Sequence, residues 1–132
     1  MATRSVTLGL ILAFALVGSQ FVFADKEHSS SGTIPQMAKI MMHLNHYPSA
    51  AEKKILQRII DDTATPANQR IIAGAILHVE HVATAADKKM LKNIMDDASA
   101  PSNERELARI IYELSHTPTA ADKATLKAML EK

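Results

Sequence analysis

Apolar residues recur along this chain in short segments that have the spacing of one face of an α-helix. In one type of segment they fall at i, i+3, i+4 and i+7, with segments beginning at Met37, Ile72 and Leu107. A second type of segment, with its own apolar stripe, follows the segments at Met37 and Ile72. It begins at Ile55 and at Met90, respectively. This periodicity predicts paired amphipathic helices separated by short polar turns.

The pairs belong to a sequence repeat of 35 residues. When 36–70 is laid over 71–105 without a gap, 14 of 35 positions are identical, and 106–132 continues the register. A fixed period of this length is typical of stacked helical hairpins. We therefore predict an all-α fold of six helices in three stacked hairpins, arranged as a short α-α superhelix or as a compact bundle.

The start of each second helix has a capping signature, in which a hydroxyl residue precedes a carboxylate by three positions. Such a pair satisfies backbone amides at a helix N-terminus and places negative charge there. The pairs are Ser49 and Glu52, Thr84 and Asp87, and Thr119 and Asp122. We expect the first helix of each repeat to extend as far as His46, His81 and His116, respectively.

The N-terminus has the pattern of a secretory signal. Arg4 precedes an apolar run over Val6–Val17, and small residues stand at the cleavage positions before Asp25. We predict a signal peptide over 1–24, a flexible leader over 25–34 and a helical repeat domain over 35–132, with a periplasmic location.

Charge and composition restrict the class of function. The chain has 15 Lys+Arg and 14 Asp+Glu, and loss of 1–24 removes one cation, Arg4, so the mature net charge is zero with His neutral. Neutrality argues against nucleic acid or an anionic membrane surface as the main partner. The absence of Cys excludes thiol catalysis, iron–sulfur clusters and covalent haem. Motifs for a nucleotide loop or an activated nucleophile are missing, so we expect no enzymatic activity.

A possible metal site is indicated by pairs of ligand residues spaced i, i+3 in each repeat. Residues at this spacing share a helix face and can offer two donors to Cu, Zn or Ni, with no other cofactor expected. Met42, beside the first pair, favours copper. The candidates are Met42, His43, His46, His78, His81, Glu113 and His116.

Helix capping is the competing interpretation of the histidine that ends the ligand pair in each repeat. An imidazole on the last turn of a helix can bond exposed carbonyls and suits the negative end of the helix dipole. In stacked repeats, His46, His81 and His116 would lie about one helix diameter or ~10 Å apart, too far to share one metal without a bridging partner.

The middle repeat has small residues where its neighbours have a long cation. Ala73, Gly74 and Ala75 form a run in which Gly74 aligns with Lys39 and Arg109. Glycine inside a helix costs ~1 kcal/mol relative to alanine. This cost points either to close helix packing or to a groove flanked by Lys39 and Arg109 that accepts a partner peptide.

Taken together, the sequence favours an exported helical-repeat protein that acts as a protein- or peptide-interaction module in the periplasm. The alternative function is a periplasmic metal-binding protein that uses the repeated His pairs.

Overall fold

The fold is all-α, as predicted, with six helices and no strand among the residues described. It is seen in a computed structural model that describes residues 32–131. The helices are α1 (Thr33–His43), α2 (Ala50–Asp61), α3 (Ala67–Leu77), α4 (Ala85–Asp96), α5 (Ser102–Glu113) and α6 (Ala120–Leu130).

The predicted caps define where α2, α4 and α6 begin. The hydroxyl oxygens of Ser49, Thr84 and Thr119 accept hydrogen bonds from the amide of the third helical residue, at 3.3, 3.1 and 3.1 Å respectively. In α2 and α6 the carboxylate also accepts a bond from the backbone amide of the capping residue, which completes a capping box.

The core lies where α1, α3 and α5 pack against one another. Their apolar stripes meet there, and equivalent positions of the three repeats are buried together. Large side chains that are less than 2% exposed include Met37, Met41, Ile72, Ile76, Leu107 and Ile111. Burial of each such side chain contributes roughly 1.5–3 kcal/mol.

The outer helices close the bundle into a ring. The most extensive helix pairs are α2 with α3, α4 with α5, and α1 with α6. The last pair joins the first helix to the last, and equivalent contacts therefore recur three times around a common axis. Of the two predicted arrangements, the molecule adopts the compact bundle, and its six helices follow an approximate threefold symmetry.

The N-terminal boundary of the helical domain differs slightly from the prediction. Helix α1 begins at Thr33, and Ile34 is only 6% exposed within the core. The sequence places Thr33 and Ile34 in the leader. Burial of the apolar Ile34 side chain in the core stabilises the helix there instead. The predicted signal peptide and the rest of the leader lie outside the residues described. Within 32–131, every helix falls short of the length and apolar character that a membrane crossing requires.

Candidate metal site on the threefold axis

Three histidines at equivalent repeat positions adopt the same unusual backbone conformation. His46, His81 and His116 have φ of 72°, 73° and 67°, and they are the only residues other than glycine with positive φ in the described part of the chain. The left-handed region costs an L-residue roughly 1–2 kcal/mol. Such strain concentrates at sites where surrounding structure and function require it.

The expectation that these histidines lie on the last helical turn is wrong. The preceding helices end at His43, Leu77 and Glu113, and the histidines lie in the turns that follow. Each helix ends in a tighter turn, in which the amide of the first or second residue after the helix donates to the carbonyl oxygen three residues before it. The left-handed histidines therefore lie beyond the last helical turn.

Backbone hydrogen bonds hold the three turns together around the axis. The amide of His81 donates to the carbonyl oxygen of His46 at 2.8 Å, and the amide of His116 donates to that of His81 at 2.7 Å. These bonds join equivalent residues of neighbouring repeats, 35 positions apart in the sequence.

The same bonds bring the three imidazoles into one cluster. The Nδ1 atoms of His46 and His81 are 2.9 Å apart, and those of His81 and His116 are 3.2 Å apart. The ring centroids lie 4.7, 5.2 and 5.7 Å from one another in edge-on orientations. The expected separation of ~10 Å assumed an open stack, and closure of the ring places all three side chains on the axis instead.

Hydrogen bonding alone satisfies this cluster poorly. A neutral imidazole nitrogen is either a donor or an acceptor, yet Nδ1 of His81 faces Nδ1 of both His46 and His116. Nδ1 of His81 must therefore either accept hydrogen bonds from both neighbouring rings, or donate to one ring and face an acceptor nitrogen on the other. Protonation of more than one ring would bring like charges within a few ångströms of each other.

A metal ion suits the geometry of the three nitrogens. One nitrogen from each ring lies within 4.8 Å of the others. Zinc binds imidazole nitrogen at about 2.0–2.1 Å in a tetrahedral arrangement, which separates two such donors by about 3.3 Å. The two Nδ1 separations are close to this value, so one ion can contact all three rings after small side-chain adjustments.

The cluster lies at the surface of the protein. His46 is half-buried, whereas His81 and His116 are exposed. Three imidazoles at this place would leave the fourth position of a bound zinc ion to water or to a ligand from another molecule.

The other predicted metal ligands lie elsewhere and make different contacts. Nδ1 of His43 is 2.9 Å from the backbone oxygen of Lys39, and His78 faces Asp87 at 3.2 Å. Glu113 forms an ion pair with Arg109. Met42, the residue that favours copper in the sequence, is half-buried against the core, and packing accounts for its presence there. Among the described residues, His46, His81 and His116 form the one group of three or more such ligands that lies close together, and metal binding by an i, i+3 pair stays a prediction.

The small-residue run in α3 combines close packing with an open pocket. Ala73 and Ala75 are fully buried, whereas Gly74 borders a cavity of about 330 Å³ between α2, α3 and α4. Neither Lys39 nor Arg109 lines this cavity. They were expected to flank it, but they belong to the other two repeats, which closure of the ring places elsewhere around the axis.

Arg109 is the centre of an ion-pair network in the third repeat. Its guanidinium bonds Glu106 at 2.8 Å and Asp122 at 3.1 Å and also pairs with Glu113. The bond with Glu106 leads the contributions that raise the pKa of Arg109. Burial alone would raise the pKa of Asp122, but hydrogen bonds from Thr119 and Arg109 outweigh it and lower that pKa.

Sequence reasoning identified Asp87 only as a capping residue and did not connect it with the cavity beside Gly74. The residue is 3% exposed and lines that cavity together with Arg70 and His78. The available signal was the alignment of Asp87 with Asp122, whose cationic partner Arg109 aligns with Gly74.

Comparisons of this chain with protein-family models, curated proteins and solved structures found no match.

Proposed function

We propose that the protein binds one transition-metal ion through the Nδ1 atoms of His46, His81 and His116, and that zinc is the preferred ion. The observation that supports this function is the convergence of the three nitrogens, at 2.9 and 3.2 Å, from three strained turns. Three repeats that each contribute one ligand make a single site, rather than three.

Zinc is favoured over copper and nickel because the three donors lie around an approximate threefold axis. Such a set forms one face of a tetrahedron, the geometry that zinc adopts in proteins, whereas Cu²⁺ and Ni²⁺ prefer square-planar or tetragonal sites. Copper and nickel remain the competing ions, since imidazole nitrogen binds all three.

The role we propose is reversible binding of the ion in the periplasm. The exposed imidazoles give the ion a direct path from solvent, and the open coordination position allows a ligand from another molecule to approach. The earlier expectation of a peptide-interaction module stays a prediction, and the cavity at Gly74 is the feature that bears on it.

The test is calorimetric titration of the purified protein with Zn²⁺, Cu²⁺ and Ni²⁺, repeated on His81→Asn. Asparagine tolerates the left-handed region, so this change removes the central ligand while retaining the backbone conformation. Mutation of residues that merely orient a ligand costs about 10–100-fold in affinity, and we expect loss of His81 to cost more than about 100-fold.

His43→Asn is the matched control, because His43 is an exposed histidine outside the cluster. We expect it to bind zinc like the unaltered protein. Equal zinc affinity in His81→Asn and the unaltered protein would refute the proposed site.

A further inference from the structure

The cavity beside Gly74 is the counterpart of a space that a guanidinium fills in the third repeat. Gly74 and Arg109 occupy the same repeat position, as do Asp87 and Asp122. In the third repeat, Nη2 of Arg109 donates to Oδ1 of Asp122 at 3.1 Å. In the second repeat there is no such side chain, and a Cβ added at Gly74 would meet no atom within 4 Å other than its chain neighbours and the adjacent backbone of its own helix.

The carboxylate that would receive this group is present but incompletely bonded. Oδ2 of Asp87 accepts a bond from the Thr84 hydroxyl at 2.6 Å and lies 3.2 Å from Nδ1 of His78. Oδ1 has only a long contact of 3.4 Å with the same His78 nitrogen. The Asp87 side chain is 4% exposed, and its ion-pair partner His78 is 56% exposed and charged only when protonated. A buried carboxylate of this kind gains from a permanently charged partner that offsets its desolvation.

The remaining walls suit the aliphatic stem that carries a guanidinium. Ile60, Ile71 and Met90 line the cavity, and methylene groups pack favourably against such side chains. In the third repeat the counterpart of Ile71 is Glu106. The cavity therefore offers a guanidinium one carboxylate, and its wall is more apolar than the surroundings of Arg109.

One cation already lies at the edge of the cavity. Arg70 lines the cavity, and its Nε is buried without a hydrogen-bond partner in the described part of the chain. Its counterpart in the third repeat is Arg105, whose Nε is likewise buried and unpaired. The fold holds Arg109 at the equivalent position, where three carboxylates pair with it.

We propose that the cavity at Gly74 binds a guanidinium group on an aliphatic stem, with Asp87 as the anionic partner. The planar fork of a guanidinium matches a carboxylate better than an ammonium does. The group can belong to a free alkylguanidine or to an arginine of a peptide. This proposal is independent of the metal site.

The experiment follows backbone amide chemical shifts of the zinc-free protein during titration with two probes, butylguanidinium and N-acetylarginine amide. We expect saturating shifts at Gly74 and Asp87, and binding weaker by about 10-fold or more with butylammonium, which lacks the fork. If both probes bind, the cavity accepts a guanidinium from either source. If only butylguanidinium binds, the ligand is a free guanidine, and if only N-acetylarginine amide binds, it is a peptide arginine.

Variants link the binding to the carboxylate and to the empty space. Asp87→Asn keeps the shape of the side chain and should weaken binding by about 10-fold or more. Gly74→Arg should abolish binding, because its own guanidinium fills the cavity, whereas Gly74→Ala should retain it.

Arg109→Gly provides a positive control for detection. This variant opens the equivalent space in the third repeat, where three carboxylates remain, and butylguanidinium should bind there. Binding to Arg109→Gly without any saturating shift at Gly74 in the unaltered protein would overturn the proposal. Equal affinity of Asp87→Asn and the unaltered protein would do so as well.

Discussion

At the residue scale, the candidate site depends on a backbone conformation that the sequence does not announce. Glycine or asparagine at His46, His81 and His116 would have signalled a left-handed turn, but histidine gives little indication of one. The recurrence of histidine itself was visible in the sequence. All three repeats have it at this position, whereas the position two residues later changes from Pro48 to Ala83. The ligand type could thus be predicted, but the conformation could not.

The Arg109 network leads to a prediction about stability and pH. Arg109→Ala removes bonds to Glu106, Glu113 and Asp122, and we expect a loss of about 1–2 kcal/mol in the free energy of unfolding at neutral pH. The folded protein holds the pKa of Asp122 below its ordinary value of 3.8. The stabilisation from this carboxylate is therefore complete above that pH and is lost as the pH falls below it.

The measurement is urea unfolding of both proteins across this pH range, with Lys39→Ala as the control. Lys39 holds the same repeat position as Arg109 but is exposed, so its removal should change the free energy of unfolding by less than about 0.5 kcal/mol. A difference between Arg109→Ala and the unaltered protein that stays constant below pH 3.8 would contradict this account.

At the element scale, the helix starts were predictable and the ends of the first helices were not. The hydroxyl caps act through contacts within a few residues, so Ser49, Thr84 and Thr119 mark the starts of α2, α4 and α6 correctly. The turns that follow α1, α3 and α5 are joined by bonds between different repeats. Local periodicity contains no information about such contacts.

Two of the caps, Thr84 and Ser49, should differ in their contributions to stability. Thr84→Ala removes both the cap and the 2.6 Å bond to buried Asp87, so we expect a loss of about 2 kcal/mol. Ser49→Ala should cost only about 1 kcal/mol, because its partner Glu52 is less buried.

Thermal and urea unfolding of the two variants tests this order. Thr125→Ala is a matched control within α6, where the hydroxyl only bonds the carbonyl of Ala121 on the same helix, and it should change stability by less than about 0.5 kcal/mol. If Ser49→Ala is as destabilising as Thr84→Ala, burial of Asp87 does not contribute as argued.

At the scale of the whole molecule, closure of the ring turns three separate histidines into one cluster. The 35-residue period predicted the number and class of the helices, but it does not fix the rotation between neighbouring repeats. That rotation results from how α1, α3 and α5 pack in the core, and from the contact of α1 with α6. An open stack of the same helices would keep His46, His81 and His116 apart.

X-ray absorption spectroscopy of the zinc-loaded protein, with the metal content of the same sample determined, tests the central claim most directly. The account predicts one zinc per chain, with three imidazole nitrogens at about 2.0–2.1 Å and one further light ligand. Two or more zinc ions per chain, or a single ion with fewer than three imidazole ligands, would contradict it.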